Sequence, residues 1–328
     1  MEFGVFGLSA ALSLGASVLL VSRLERVGER LGVSEALLGL IAALAADGPE
    51  ITSSIAAIAG GHGTVGIGVT LGSNVFNLAA LLGISALIAG RIRFHRREIA
   101  LEGAVGLWMA GLSVAVVAGF LPAAIGLLLA LVVFVPYVAV SAEHPAARAR
   151  LRMPARWSEW LARALAEEEA ELAVAIRPER GDRRDALVAL GALVVVVGAS
   201  VTMEELATTM GERLGWSQII VGGLILAAVT SLPNLVAAIY LSSRGRGGAA
   251  LSEAFNSNVF NVIVGLLLPG AILGIASEAR SGLVVAVSYA TLTCVALALA
   301  FRGHGLTRRT GSIIIAGYFV FVLAIVAS

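Results

Sequence analysis

Long apolar runs, separated by short polar segments rich in arginine, dominate the chain. Runs of about 18 or more apolar residues are long enough to cross the hydrocarbon core of a bilayer as helices. The pattern therefore predicts an all-α polytopic membrane protein with ten transmembrane helices. The predicted spans are approximately 3–22, 35–59, 64–90, 99–119, 121–141, 186–205, 216–243, 247–273, 282–301 and 310–327.

Composition supports a membrane protein, because 58% of the residues are hydrophobic and only 14% are charged. A soluble domain of this length needs more charge to cover its surface. The net charge of +1 favours no nucleic-acid partner, so the lipid bilayer is the expected one. The single Cys294 excludes an internal disulfide and a cysteine metal cage, and no cofactor is expected.

The first apolar run, 3–22, is also compatible with a secretory signal peptide. A signal peptide begins with a positively charged region, whereas only Glu2 among charged residues precedes this run. We therefore interpret it as the first transmembrane span.

The arginines predict the orientation of the chain. All 23 basic residues are arginines, and 21 of them lie in alternate loops on one side of the predicted spans. Because basic loops remain in the cytoplasm, both termini are expected outside the cell (inner) membrane. The arginine-rich loops are 23–34, 91–98, 142–185, 244–247 and 302–309.

The loop 142–185 is the one sizeable soluble segment that the pattern leaves between the spans. An acidic run, 167–171, with glutamates at 167, 168, 169 and 171, lies on its helical stretch 157–176. Charge runs usually face water, which favours an amphipathic helix near the membrane. A regulatory cation site is the alternative.

The chain contains an internal repeat. The segment 28–32 recurs at 211–215, and the pentapeptide Ser-Asn-Val-Phe-Asn of 73–77 recurs unchanged at 257–261. Each copy holds five predicted spans, and an odd number inverts the second copy in the membrane. Inverted repeats are typical of secondary transporters, although a duplicated scaffold without a transport site is an alternative. The expected organisation is a first repeat 1–141, a cytoplasmic loop 142–185 and a second repeat 186–328.

Two carboxylates lie at membrane depth in the second span. Asp47 and Glu50 are three residues apart, so they share one helical face. Pro49 between them lacks an N–H, so the helix should kink and free the carbonyl of Ala45. Hard cations such as Ca²⁺ and Na⁺ prefer oxygen ligands of this kind.

The second repeat carries a matching device around Pro233, where Ser231 replaces Asp47 and Asn234 replaces Glu50. Neutral oxygens also follow in the third and eighth spans, where buried Asn and Ser can instead merely join helices. That structural interpretation is equally good for Asn74 and Asn258, and Glu253 fits either a vestibule acid or an interfacial charge. The candidate cation ligands are Asp47, Glu50, Ser73, Asn77, Thr230, Ser231, Asn234, Ser257 and Asn261.

The doubled order of a proline-containing polar span, a short turn and a Gly-Ser-Asn-x-Phe-Asn span resembles the calcium/cation antiporter superfamily, which includes the sodium/calcium exchangers. The resemblance implies ten helices, outward termini and a central site lined by spans 2, 3, 7 and 8. The family motif is typically Gly-Thr-Ser-x-Pro-Glu in both repeats. Here the second copy ends in Asn234, and the first reads Ala45-Ala46-Asp47 where Gly-Thr-Ser is usual. Asn261 occupies a position that is often acidic.

The function that the resemblance implies is secondary-active exchange of Na⁺ for Ca²⁺ by alternating access. Two carboxylates, both from the first repeat, could balance one Ca²⁺ or two monovalent ions. The alternatives are a proton-coupled exchanger of Na⁺ or Ca²⁺ and a cation-binding homologue that does not transport. An intramembrane aspartyl protease is disfavoured, because Asp47 and Glu50 share one helix.

Overall fold

The structure, a computed structural model, describes residues 2–31, 41, 43–142, 181–243, 249–275 and 280–328. These residues are mostly helical, as the apolar pattern predicted. The predicted loop helix 157–176 and its acidic run lie outside the described residues.

Among the described residues, the first half of the chain contributes five helices. One of them contains a single π-helical segment between two α-helical segments. The helices are α1 (Glu2–Leu31), α2 (Gly48–Ala59), α3 (Gly63–Asn77, the π-helical Leu78–Ile84 and Ser85–Ala89), α4 (Arg96–Val117) and α5 (Ala123–Ala142).

Among the described residues of the second half of the chain, six helices follow. Its helices are α6 (Arg183–Leu214), α7 (Gln218–Ile220, the π-helical Val221–Leu226 and Ala227–Thr230), α8 (Leu232–Ser243), α9 (Ala249–Phe260, the π-helical Asn261–Leu267 and Leu268–Leu273), α10 (Arg280–Gly303) and α11 (Arg308–Val326).

Seven described helices are long and apolar enough to cross a membrane, and two shorter apolar helices accompany them. The shorter ones, Ala123–Ala139 and Gln218–Thr230, fall in the predicted fifth and seventh spans. A multi-pass membrane protein follows from these helices, while the count of ten spans and the inverted repeat stay predictions.

Besides the helices, the described residues include one short pair of strands that the all-α prediction did not contain. The strands β1 (Arg91–Arg93) and β2 (Gly305–Thr307) pair antiparallel, with Ile92 opposite Leu306. Three residues are too few for an alternating pattern to be visible in a sequence. The pair joins the segment after α3 to the segment before α11.

The centre of the bundle is formed by α3 and α9, which carry the repeated pentapeptide. In the most apolar 18-residue stretch of each helix, 78% of the residues are buried in α3 and 67% in α9. The corresponding values are 22% in α1 and 33% in α6. The helices α1 and α6 pack along each other at the periphery. Polar side chains on α3 and α9 therefore face protein rather than lipid.

A close approach of two backbones brings α3 against α7. A Cβ atom placed on Gly72 would lie 2.5 Å from the carbonyl oxygen of Gly223, and one on Gly222 would meet the backbone of Val65. Only glycine fits at such a crossing. The contact holds the first half of the chain tightly against the second.

Contacts at the two ends of the bundle agree with the grouping of the loops. At one end of the packed helices α1 and α6, Arg23 pairs with Asp185 at 2.6 Å, and elsewhere β1 pairs with β2. At the other end Arg213 pairs with Glu2 at 2.6 Å. The segments that the arginines placed on one side thus meet one another. Their cytoplasmic location stays a prediction.

Candidate cation site

Two turns interrupt the helical spans at equivalent positions. Asp47 (φ −79°, ψ 0°) separates the preceding helical residues from α2, and Ser231 (φ −85°, ψ 7°) separates α7 from α8. Pro49 and Pro233 each follow two residues later. Proline lacks the N–H that would continue the ladder, so both spans kink at the same point.

The carbonyl that Pro49 frees is used by the protein. Ser17 of α1 donates its hydroxyl to the carbonyl oxygens of Ala45 and Ala46, at 3.2 and 3.3 Å. The sequence had predicted the free carbonyl but not this donor. The sequence feature that could have indicated this donor is a serine on the buried face of α1.

Asp47 and Glu50 are fully buried and meet at one side chain from the second half of the chain. Asn234 on α8 places its Nδ2 atom 3.0 Å from Asp47 Oδ1 and 3.3 Å from Glu50 Oε1. Ser231 donates its hydroxyl to Glu50 Oε1 over 3.5 Å. The two proline-containing spans therefore bring their polar residues together, as the sequence predicted.

The pentapeptides of α3 and α9 complete the same cluster. Ser257 donates its hydroxyl to Asp47 Oδ1 at 2.6 Å, and Asn77 donates its amide to Ser257 at 2.9 Å. The side-chain oxygen of Asn77 in turn accepts from the Asn234 amide at 3.1 Å. Four segments of the chain thus share one hydrogen-bonded network around Asp47.

Asn261 donates its amide to the side-chain oxygen of Asn74 at 3.1 Å, and it also makes a side-chain hydrogen bond with Glu50. Each asparagine in the pair Asn74 and Asn258 donates to the backbone carbonyl of the other. Sequence reasoning had balanced a joining role against a ligand role for these two, and the contacts are those of joining residues. The sequence feature that pointed to these two residues was the repetition of the pentapeptide.

Ser73 and Thr230 lie near the cluster, but their hydroxyls donate to helix carbonyls. Ser73 donates to Ala227 over 3.5 Å, and Thr230 donates to Leu226 at 2.9 Å. Among the described contacts neither hydroxyl reaches a carboxylate. By these contacts, Ser73 and Thr230 lie outside the hydrogen-bonded network around Asp47.

Several oxygen atoms of the cluster have lone pairs that no described donor uses. Within the described part of the chain, one oxygen of each carboxylate and two amide oxygens are buried without a hydrogen-bond donor. A buried acceptor without a partner is costly, and a hard cation satisfies several such oxygens at once. These atoms are Asp47 Oδ2, Glu50 Oε2, Asn234 Oδ1 and Asn261 Oδ1.

Ser54 and Thr70 brace the cluster, and sequence reasoning missed both. The Ser54 hydroxyl lies 2.9 Å from the carbonyl oxygens of both Gly66 and Gly265, and it accepts from Thr70 at 2.7 Å. It therefore joins α2 to α3 and α9. Both residues lie close to the candidate ligands along the chain, but nothing in their spacing separated them from other buried hydroxyls.

The buried carboxylate of Glu102 was also missed. Glu102 on α4 is only 3% exposed, and Ser252 of α9 donates its hydroxyl to it at 2.6 Å. Ser252 lies five residues before Ser257, so this contact fixes the same helix that serves Asp47. Glu253, next along the chain, is half-buried.

Comparison with known proteins defines the class. The family profile described as "Sodium/calcium exchanger protein" matches residues 1–142 and 186–327, which leaves out only the loop segment and the last residue. The chain belongs to this family of membrane exchangers. The resemblance that the repeated motifs indicated is thereby confirmed.

Relatives match over a limited segment. The chain is 32% identical over 125 residues to "Sodium/potassium/calcium exchanger 2" of Gallus gallus, which covers 36% of this chain and 19% of that protein. It is 34% identical over 110 residues to exchanger 1 of Bos taurus, covering 34% of this chain and 9% of the relative. The matched segment is thus less than a quarter of either relative.

Solved structures share the fold over almost the whole chain. The structure titled "Crystal Structure of H+/Ca2+ Exchanger CAX" aligns with a TM-score of 0.67 at 15% identity, covering 100% of this chain and 86% of that one. The sodium-calcium exchanger NCX_Mj aligns with a TM-score of 0.63 at 21% identity, covering 98% of both chains. At such identities the likeness is one of fold.

Proposed function

We propose that this protein is a secondary-active cation antiporter that exchanges Na⁺ for Ca²⁺ by alternating access at the Asp47–Glu50 cluster. The observation that carries the proposal is the pair of fully buried carboxylates, each with an oxygen that no described donor reaches. Ionisable residues at membrane depth are costly and generally mark ion pathways. Relatives named as sodium/potassium/calcium exchangers support calcium and sodium as the ions.

The cluster residues take different parts in this proposal. Asp47 and Glu50 supply the negative charge, and the side-chain oxygens of Asn234 and Asn261 supply neutral ligands. Further oxygens come from Asn77 and from hydroxyls that can turn toward an ion. Those hydroxyls belong to Ser73, Thr230, Ser231 and Ser257.

Charge balance favours two sodium ions for one calcium ion at this cluster. Asp47 and Glu50 together carry two negative charges when ionised, and a desolvated cluster is most stable when bound ions match that charge. Two Na⁺ and one Ca²⁺ bring the same charge. The resulting exchange is electroneutral.

A proton-coupled exchanger is the second candidate, and the closeness of the two carboxylates favours it. Both approach the same amide nitrogen of Asn234, so they lie within one small cluster. A proton bound by either carboxylate would remove one charge, as one Na⁺ does. Protons could then replace sodium as the coupling ion.

We further propose the topology that accompanies this function. The repeats 1–141 and 186–328 run in opposite directions through the cell (inner) membrane, and both termini lie outside. Segment 142–185 lies in the cytoplasm. The arginine distribution supports this arrangement, and so do the reciprocal contacts of Asn74 and Asn258.

Calcium binding in detergent tests the site apart from transport. We expect the purified protein to bind Ca²⁺, with Na⁺ displacing it competitively. The Glu50→Gln variant should lose most of this binding, whereas Glu205→Gln, a change at an exposed glutamate, should bind as the wild type does. Equal calcium binding by Glu50→Gln and the wild type would contradict the assigned site.

A further inference from the structure

The Asn234 amide nitrogen has more acceptors around it than it has hydrogens. Besides Asp47 and Glu50, its Nδ2 atom lies 3.1 Å from the Asn77 side-chain oxygen and 3.3 Å from the Ser257 hydroxyl. An amide NH₂ group carries two hydrogens, so at most two of these four acceptors receive a bond at one time. The nitrogen is therefore at the centre of an oxygen cluster.

The chemistry of the neighbours fixes which end of the amide points inward. Ionised carboxylates only accept, and the Ser257 hydroxyl already donates its proton to Asp47. The Asn77 amide nitrogen donates to Ser257, which leaves the Asn77 oxygen toward Asn234. If the Asn234 amide were reversed, its oxygen would face three oxygens that can only accept, those of Asp47, Glu50 and Asn77.

A cation and this NH₂ group cannot occupy the same oxygens. The amide hydrogens are the positive end of a dipole, so a bound cation would repel them. Turning the terminal torsion by half a revolution removes the nitrogen and brings Asn234 Oδ1, which has no donor among the described residues, toward the ion. Asn234 can thus serve the carboxylates in two ways, as a donor or as a partner ligand.

The usual residue of the family motif does not have this choice. A glutamate at position 234 would add a third carboxylate, and an ionised carboxylate has no hydrogen to donate. Its cluster would depend on bound cations or protons to offset the repulsion. With asparagine instead of glutamate at position 234, the cluster has the amide of Asn234 as an internal hydrogen-bond donor and depends less on bound cations or protons.

Resting on the proposed function, we propose that the Asn234 amide stands in for the transported cation, so that the carrier can reorient without an ion. The consequence is a second activity, a net downhill flux of Ca²⁺ that needs no counter-ion on the other side. In an obligate antiporter the empty carrier does not cross. Here the internal hydrogen bonds offset part of the cost of burying the two carboxylates without a cation.

Efflux from proteoliposomes tests this activity. Vesicles loaded with radioactive calcium are diluted into a sodium medium or into a choline medium that lacks other metal cations, with thiocyanate as a permeant anion to prevent a membrane potential. The choline medium is used at two values of external pH, and efflux into choline that rises with the external proton concentration is proton exchange and overturns the inference. We expect wild-type efflux into choline to reach at least about one tenth of the efflux into sodium. In Asn234→Asp, which replaces the donor by an acceptor of equal size, that ratio should fall about tenfold or more.

The outcomes separate the inference from the proposed function. Wild-type efflux that occurs in sodium and is absent in choline overturns the inference and leaves the exchange intact. An unchanged ratio in Asn234→Asp also overturns it, because the amide would then not be the cause. Absence of efflux in both media contradicts the proposed function itself. If Asn234→Asp does not fold, the wild-type ratio still decides.

Discussion

Asn74 and Asn258 hold each other by the same bond in both directions. The Asn74 amide donates to the Asn258 carbonyl at 3.1 Å, and the Asn258 amide donates to the Asn74 carbonyl at 3.3 Å. The two residues occupy the same position in the repeated pentapeptide. The contact thus ties the centre of α3 to the centre of α9.

Removing either of these amides should lower thermal stability. Each of Asn74→Ala and Asn258→Ala should cost about 1–3 kcal/mol, because a buried carbonyl loses its donor. The double variant should cost less than the sum, since the two bonds belong to one contact. Thermal unfolding in detergent measures this, with the exposed Cys294→Ala as control. Additive losses would show that the bonds act independently.

Neutralising Glu50 should abolish exchange while the fold survives. Glu50→Gln keeps the size of the side chain and removes a charge from the cluster, and a neutral side chain is less costly to bury. We expect calcium flux to fall at least about a hundredfold, on the order of the 3 kcal/mol lost with a charged ligand. The control is Glu205→Gln, which changes an exposed glutamate of α6. Flux near the wild-type rate in folded Glu50→Gln would refute the role.

Relative to the family motif, the second repeat has lost a glutamate at position 234 and the first repeat has gained Asp47. A double substitution tests whether Asp47 compensates for the lost glutamate. Asp47→Ser alone should lose calcium binding, because one negative charge does not balance a desolvated divalent ion. Asp47→Ser with Asn234→Glu keeps two carboxylates and should regain part of the binding. Isotherms for Ca²⁺ and Na⁺ on the three proteins provide the comparison. If Asp47→Ser binds calcium as the wild type does, Asp47 lies outside the site.

The ion pair at the start of α6 should make stability depend on acid. The Asp182 backbone N–H and the Arg23 guanidinium hold the pKa of the Asp185 carboxyl below its usual range. A carboxyl whose folded pKa is lowered stabilises the fold above its unfolded pKa of about 4, and this contribution is lost as the pH falls through the folded pKa.

Asp185→Asn removes the titrating group but retains a similar shape. We expect its melting temperature to fall less on acidification below about pH 4 than that of the wild type. The two proteins should also differ most at neutral pH, where the wild-type pair is intact. Parallel acid profiles for both would show that the pair does not contribute.

Orientation can be read from cysteine labelling in intact cells. In a Cys294→Ala background, a cysteine at Trp160 should resist an impermeant reagent, because the arginine distribution places 142–185 in the cytoplasm. A cysteine at Phe120, which is 85% exposed in the turn before α5, should react. Ready labelling at residue 160 would contradict the topology.

The sequence predicted most of the helices and most of the cluster, since apolar length and the doubled motif are local properties. Asp47, Glu50 and Asn234 were identified because polar residues beside a proline at membrane depth are unusual. Residues whose partners are distant in the sequence were not identified. Ser17 reaches the Ala45 carbonyl from another helix, and Ser252 reaches Glu102.

Orientation of individual hydroxyls also required the structure. Ser73 and Thr230 have the spacing of ligands, yet their hydroxyls donate to carbonyls at 3.5 and 2.9 Å. The residue type permits both arrangements, and only the packing of α3 against α7 decides between them. The strand pair β1–β2 was likewise invisible, because each strand has three residues.

Uphill calcium accumulation in proteoliposomes tests the central proposal most directly. Vesicles containing purified protein are loaded with sodium and diluted into a sodium-free calcium medium of the same pH, and a second set carries only a pH gradient. The account predicts that an outward sodium gradient drives calcium above its equilibrium level, and that dissipating this gradient releases it. Accumulation driven only by the pH gradient, or by neither gradient, would contradict sodium/calcium exchange at the Asp47–Glu50 cluster.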